Sequence, residues 1–159
     1  MTDTLAFETT SPDHTEELAA RLGAVVSAGM LITLTGELGA GKTVFTRGLA
    51  RGLNISGAVV TSPSYVLQHI YHGGRLPLEH LDAYRLTGGI IEFETSGLAE
   101  AIFNTQAVIA LEWPERLGAF RWPADYLAVQ IEHLVDPQRR QIMLRASGPR
   151  SATALRGLA

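Results

Sequence analysis

The octet Gly36-Glu37-Leu38-Gly39-Ala40-Gly41-Lys42-Thr43 constrains this chain more than any other stretch. It fits the pattern G-x-x-x-x-G-K-[ST], which binds phosphate only where a strand runs into it and a helix runs out. Met30 to Thr35 reads as a buried strand running in, and Thr43 to Arg51 reads as a helix running out. Both flanks therefore meet the requirement. Gly36, Gly39 and Gly41 permit backbone conformations that a β-carbon would block, so successive N–H groups can point into one concave nest. The following helix adds its own unpaired N–H groups and the positive end of its dipole. Lys42 is expected to reach the β- and γ-phosphates, and the Thr43 hydroxyl to take one position on Mg²⁺. Lys42 is also the only lysine in the chain.

Around that unit, 159 residues are enough for one domain with a real core. With no cysteine, disulfides, thiolate catalysis and cysteine zinc sites are excluded. This is compatible with a reducing cytosol, and a cytoplasmic protein is expected. The start, Met1-Thr2-Asp3-Thr4, is polar and precedes no apolar segment of the signal-peptide kind. No apolar run approaches the roughly 20 residues of a membrane span, so no membrane association is expected. A formal net charge of −3 argues against an extensive nucleic-acid footprint and leaves room for a small basic patch.

Periodicity fills in the rest. Leu5 to Glu8 reads as a short strand. Asp13-His14-Thr15-Glu16 reads as a capping box, opening a helix with Leu18, Leu22, Val25 and Val26 on one stripe and Gly29 after it. Val59-Val60-Thr61 is a short β-branched run. Tyr65–Tyr71 and Leu76–Tyr84 form a hairpin pattern around His72 to Arg75. Leu98 to Phe103 reads as a short helix, and Ala107 to Leu111 as a strand buried on both faces. Tyr126–His133 and Arg139–Ala146 make a second hairpin pattern around Asp136-Pro137-Gln138. The Ser/Ala/Arg-rich stretch 149–159 reads as a frayed tail. The predicted architecture is a single domain over 1–148, a three-layer α/β unit of the P-loop NTPase kind. Its central mixed sheet carries antiparallel hairpin additions.

A nucleotide site also needs an acid for the metal. Glu112 ends the buried apolar strand, at the sheet edge where ligands gather. Asp82 ends a separate strand and shares a face with His80, two residues before it. Thr61-Ser62-Pro63-Ser64-Tyr65 is a hydroxyl-rich turn stiffened by Pro63, and Ser62 and Ser64 are candidates to meet a γ-phosphate or the metal's water shell. Trp113 follows Glu112 and reads more readily as packing than as a base-stacking platform. The histidines show no convincing zinc spacing.

These motifs together resemble the bacterial TsaE family. The resemblance rests on the octet with Glu37 and Leu38 inside it and on Thr46-Arg47-Gly48 after it. It rests equally on Ser62-Pro63-Ser64-Tyr65, on His80-Leu81-Asp82-Ala83-Tyr84-Arg85-Leu86, and on Leu111-Glu112-Trp113-Pro114-Glu115. The segments fall in family order across residues 11 to 118. The resemblance implies an ATPase supporting formation of N6-threonylcarbamoyladenosine at position 37 of tRNA. ATP or ADP and Mg²⁺ are the implied cofactors. The family acts on a complex of TsaD with TsaB rather than transferring the group itself, and tRNA is met indirectly or through a small basic patch. Residue by residue, Glu37, Leu38, Gly39, Ala40, Gly41, Lys42 and Thr43 would hold the phosphates. Glu112 matches the metal-binding acid, and Asp82 would position metal or water. Ser62 to Tyr65 and His80 to Arg85 match switch-like segments, while Thr10 and Ser11 lie where the chain approaches the base. Lys42, Asp82 and Glu112 are thus the expected catalytic set. Ser64 and Ala83 depart from the family's usual threonine and larger apolar residue.

Two other phosphate-loop functions fit less well. A small-molecule kinase needs an arginine-bearing lid over its acceptor, and residues 88–106 contain no arginine. A guanine-specific switch reads its base with Asn-Lys-x-Asp, which a chain whose one lysine is Lys42 lacks. A binding module that never turns over is argued against only if Asp82 and Glu112 converge.

Overall fold

In the computed structural model, which describes residues 3–57 and 59–159, strand β2 (Leu31–Thr35) runs through the middle of a seven-stranded sheet. Met1 and Thr2, the start of the polar N-terminus, and Ala58 lie outside the described residues. The other strands are β1 (Thr4–Thr9), β3 (Gln68–Tyr71), β4 (Leu78–Asp82), β5 (Val108–Glu112), β6 (Tyr126–His133) and β7 (Arg140–Ala146). Their order is β1-β7-β6-β2-β5-β4-β3. The four central strands β6, β2, β5 and β4 are parallel. The three outer pairings, β1 with β7, β7 with β6 and β3 with β4, are antiparallel. Continuous apolar runs suit the doubly covered parallel strands, and alternating runs suit the hairpins.

The helices are α1 (Pro12–Val25), α2 (Lys42–Gly52), α3 (Gly89–Thr95), α4 (Leu98–Ile102) and α5 (Pro149–Arg156). Strand alternation sends Ile32, Leu34, Val108 and Ala110 toward α1, α2 and α5, where Leu22, Phe45 and Leu49 complete one core. The alternate residues Leu31, Ile109, Leu111 and Leu81 face α3 and α4, with Phe93, Ile102 and Phe120 in a second core. Sheet and two helical layers make the three-layer P-loop NTPase-like arrangement. Each fully buried Leu or Phe in these layers contributes roughly 1.5–3 kcal/mol of transfer free energy.

Helices α1 and α2 approach closely because small residues line their contact. A β-carbon on Gly48 would fall 2.3 Å from the Glu16 carbonyl oxygen, and one on Gly52 would fall 2.0 Å from that of Ala20. This approach holds the start of α1 beside the phosphate loop. Arg75 reinforces the other end, donating from Nη2 to the carbonyls of Gly23 and Val26 at 2.8 Å each.

Four local expectations are corrected. The α1 N-cap is Ser11, not Asp13: the Ser11 Oγ accepts from His14 N at 3.1 Å, and Pro12 occupies the first turn, where its missing N–H costs nothing. Val59 to Thr61 forms no strand; Val59 is 81% exposed, so its β-branched side chain gains nothing from a sheet. The first hairpin strand begins at Gln68, because residues 64–66 form a turn after Pro63 and Leu67 adopts a positive φ of 69°. The stretch 149–159 is not frayed. Pro149–Arg156 is helix α5, with Ala152, Leu155 and Leu158 buried in the α1-side core. The Asp125 carboxylate accepts from the N–H groups of Arg150 and Ser151 at 2.7 and 3.0 Å, capping α5 from across a loop. Among the described residues, no helix is long and apolar enough to cross a membrane.

Candidate functional site

The carboxyl ends of β2, β5 and β4 lie side by side, and the chemistry-bearing residues sit there. Leu34 pairs with Glu112, and Glu112 pairs in turn with Asp82. Parallel register thus places two carboxylates at neighbouring strand ends, beside the loop that leaves β2. In that loop Gly39 and Gly41 adopt φ of 77° and 113°, values that L side chains rarely reach, and Gly41 is the N-cap of α2.

Lys42 is 5% exposed and folds back over its own loop, donating from Nζ to the carbonyls of Gly36 at 2.6 Å and Glu37 at 2.9 Å. Its ammonium also lies 4.2 Å from the centroid of the Trp113 ring. Burial pushes its pKa below the ordinary lysine value, while the charges of Glu112, Glu115 and Asp82 oppose that shift. Next in the chain, Thr43 donates from Oγ1 to Glu112 Oε1 at 3.2 Å. The second Glu112 oxygen, Oε2, is 3.0 Å from His80 Nε2.

Asp82 is engaged differently. Its Oδ2 accepts from Ser62 Oγ at 2.8 Å and from Ser64 Oγ at 3.1 Å, and its Oδ1 accepts from Tyr84 N at 2.8 Å. Ser62 and Ser64 therefore bind the acid. Among the described residues no group of three or more His, Cys, Asp or Glu side chains forms a metal cage. A hard cation such as Mg²⁺ does not need one, because it takes one or two carboxylates together with phosphate oxygens and water. The all-oxygen set of Thr43, Glu112 and Asp82 fits that chemistry.

On its outer side the loop is braced by Arg140, which donates from Nε to the Ala40 carbonyl at 2.8 Å. Between α1 and the β6–β7 turn is a cleft of about 140 Å³, bounded by Pro12, Val44, Pro137, Gln138 and Arg140. Thr10 and Ser11 adjoin this cleft without lining it: Ser11 caps α1, and the Thr10 N–H donates to His14 Nδ1 at 3.2 Å. Glu37 and Leu38 are exposed at the loop's crest. Tyr84 and Trp113 pack at a tilt of 45° with centroids 4.8 Å apart, and the Arg116 guanidinium lies 5.0 Å from the Tyr84 ring.

A family model described as threonylcarbamoyl adenosine biosynthesis protein TsaE matches residues 9–142. The chain belongs to the TsaE family. A Streptomyces coelicolor tRNA threonylcarbamoyladenosine biosynthesis protein TsaE is 41% identical over 143 residues, covering 87% of this chain and 94% of that protein. The Bacillus subtilis protein of the same description is 37% identical, covering 92% and 88%. The crystal structure of B. subtilis YdiB superposes with a TM-score of 0.82 at 32% identity, covering 99% of this chain and 95% of that one. A role in tRNA threonylcarbamoyladenosine biosynthesis follows from this membership.

Some features of this TsaE-family site escaped sequence reasoning. Arg140 lies 98 positions after Lys42 and has no local signal. His80 reads from the sequence only as sharing a face with Asp82; its contact with Glu112 follows from the pairing of β4 with β5. Trp113 adopts left-handed backbone dihedrals of 60° and 48°, which no residue pattern announces.

Proposed function

We propose that this protein binds ATP with Mg²⁺ and hydrolyses it slowly, and that this cycle serves threonylcarbamoyladenosine formation at position 37 of tRNA. The observation that carries the reading is the placement of Lys42 and Thr43, which open α2, beside Glu112 and Asp82 at the carboxyl ends of adjacent parallel strands. Phosphates would lie in the nest of Glu37 to Thr43, with Lys42 turned from the loop carbonyls to the β- and γ-oxygens. Bound there, Mg²⁺ would neutralise charge on the phosphate oxygens. Thr43 and Glu112 would hold it, and Asp82 would keep the Ser62–Ser64 segment in place beside it.

The base would enter the cleft bounded by Pro12, Val44 and Pro137, whose apolar faces suit a flat ring. The larger hollow of about 410 Å³ beside Glu37 is a poorer choice. Glu37 and Glu132 line it, and their charges oppose a nucleotide's phosphates. Hydrolysis would bias the Ser62–Tyr65 and His80–Arg85 segments, and a TsaB–TsaD transferase complex would read that bias. The protein supports the transferase; it does not transfer the group.

The test is nucleoside mass spectrometry of bulk tRNA from cells depleted of this protein and rescued with wild type or Lys42→Ala. Loss of the modified nucleoside, restored by wild type alone, is expected. Persistence of the modification through depletion would overturn the assignment.

A further inference from the structure

His80 reaches the site only through Glu112 and is fully buried behind it. On β4 it pairs with Ala110 of β5, and that small residue leaves room for an imidazole aimed diagonally at Glu112, two residues further along β5. Its Nε2 is 3.0 Å from Glu112 Oε2. Its Nδ1 is the one buried side-chain nitrogen or oxygen without a partner among the described residues. A proton on Nδ1 would be a buried donor with nothing to accept it, an arrangement that costs about 1–3 kcal/mol. The hydrogen-bond pattern therefore assigns the proton to Nε2, where it is donated to the carboxylate.

Glu112 is 2% exposed and holds both oxygens in directed contacts, Oε2 to His80 and Oε1 to Thr43. We propose that His80 is a positioning residue: its Nε2–H occupies Oε2 and thereby fixes Oε1 as the oxygen presented toward Thr43 and the metal. The proposal rests on the reading of Glu112 as the metal's acid. Ligating carboxylates are commonly oriented by such an outer hydrogen bond, and loss of the partner typically costs about 10–100-fold in metal affinity.

The experiment titrates Mg²⁺ against the affinity for a non-hydrolysable ATP analogue, measured by calorimetry, alongside affinity in EDTA. His80→Leu fills much of the same volume without a donor. It should leave the EDTA affinity within about two-fold while raising the Mg²⁺ midpoint by about 10–100-fold. His80→Gln, whose amide nitrogen reaches as far as the imidazole Nε2, should return most of that loss. If His80→Leu does not fold, His80→Asn replaces it, because its amide stops short of Glu112. Equal midpoints for the Gln variant and the donor-less variant would overturn the proposal in favour of plain packing. So would a wild-type midpoint in the donor-less variant while Glu112→Gln shifts it. A wild-type midpoint in Glu112→Gln itself would instead overturn the reading of Glu112, and the proposal with it.

Discussion

The Lys42 ammonium rests 4.2 Å from the centre of the Trp113 ring while donating to two carbonyls of its own loop. In the nucleotide complex proposed above, the lysine would leave these partners for a phosphate. Moving it to a phosphate exchanges the ring face, worth about 0.5–2 kcal/mol, for an anion. Trp113 should report that exchange. The protein has two tryptophans, so Trp122→Phe leaves Trp113 as the only indole emitter. Saturating ADP should change the emission of that variant, and adding Lys42→Ala should abolish the change. Emission that stays constant at saturation would mean Lys42 does not leave the ring.

Lys42 also makes a pH prediction with two opposite signs. Its pKa is lowered chiefly by burial, so the unfolded chain holds the proton more tightly than the empty folded site. Ligand-free stability, taken as wild type minus Lys42→Met, should rise as pH climbs from the lowered value toward 10.5, the ordinary value. Nucleotide affinity should fall across the same window, because the neutral amine no longer attracts phosphate. Denaturation and binding titrations carried upward from neutral pH to 10.5 measure both trends. Parallel movement of the two would contradict the assignment to this group.

Glu112 and Asp82 are neighbours in register but not equivalent in role. Glu112 faces Thr43 directly, whereas Asp82 already accepts three hydrogen bonds from Ser62, Ser64 and Tyr84. Glu112→Ala should weaken the Mg²⁺ dependence of ATP binding more than Asp82→Ala does. Asp82→Ala should instead release the Ser62–Ser64 turn and speed its cleavage by a protease under native conditions. Equal effects on Mg²⁺ dependence would show that Asp82 is a direct ligand.

What the sequence made legible was whatever local spacing encodes. The octet with its strand and helix, the buried strand ending at Glu112, and the two hairpins each lie within a few residues of one another. Pairing of Asp82 with Glu112 required only that two strand ends be adjacent. By contrast, Arg140 reaches Ala40 because β7 lies two strands from β2, a fact of sheet order rather than of any motif. The tail after Gly148 misled for a different reason. Its Ser/Ala/Arg composition resembles a loop, while Ala152, Leu155 and Leu158 carry a helical stripe too short to stand out alone. Its N-terminal cap, Asp125, comes from 25 residues earlier than Arg150.

The contact between α1 and α2 should tolerate no added side chain at its centre. A methyl on Gly48 meets the backbone of Glu16 and the β-carbon of Ala19, neither of which can swing away. Gly48→Ala should therefore destabilise the fold by about 1–3 kcal/mol despite its better helix propensity. Gly39→Ala meets no neighbouring atom but must hold φ at 77°. It should affect phosphate binding more than thermal stability. Comparing the two by melting and by ADP calorimetry separates packing from loop conformation.

Helix α5 depends on one carboxylate for its N-terminus. Desolvation alone would raise the Asp125 pKa, but hydrogen bonds from the Ser151 side chain and the Arg150 and Ser151 backbones, with the Arg150 charge, bring it below the ordinary value. A carboxyl whose folded pKa is depressed contributes stability above its unfolded value and loses it as pH falls through the folded one. The contribution should therefore be complete well above the ordinary aspartate value of about 3.9 and fall away as the pH drops through the lower folded value. Asp125→Ala should cost about 0.5–2 kcal/mol at neutral pH, the usual range for a lost helix cap. That cost should shrink as the pH falls through the lowered folded value, where wild type loses the charge. Amide exchange would place the loss, since protection should fall first in residues 150–156 and in the part of α1 that Leu158 covers. The Arg21 guanidinium donates to the Leu158 carbonyl at 2.5 Å, so loosening α5 should reach α1 through that bond. A uniform loss of protection across the sheet would instead mean that α5 unfolds only with the whole domain.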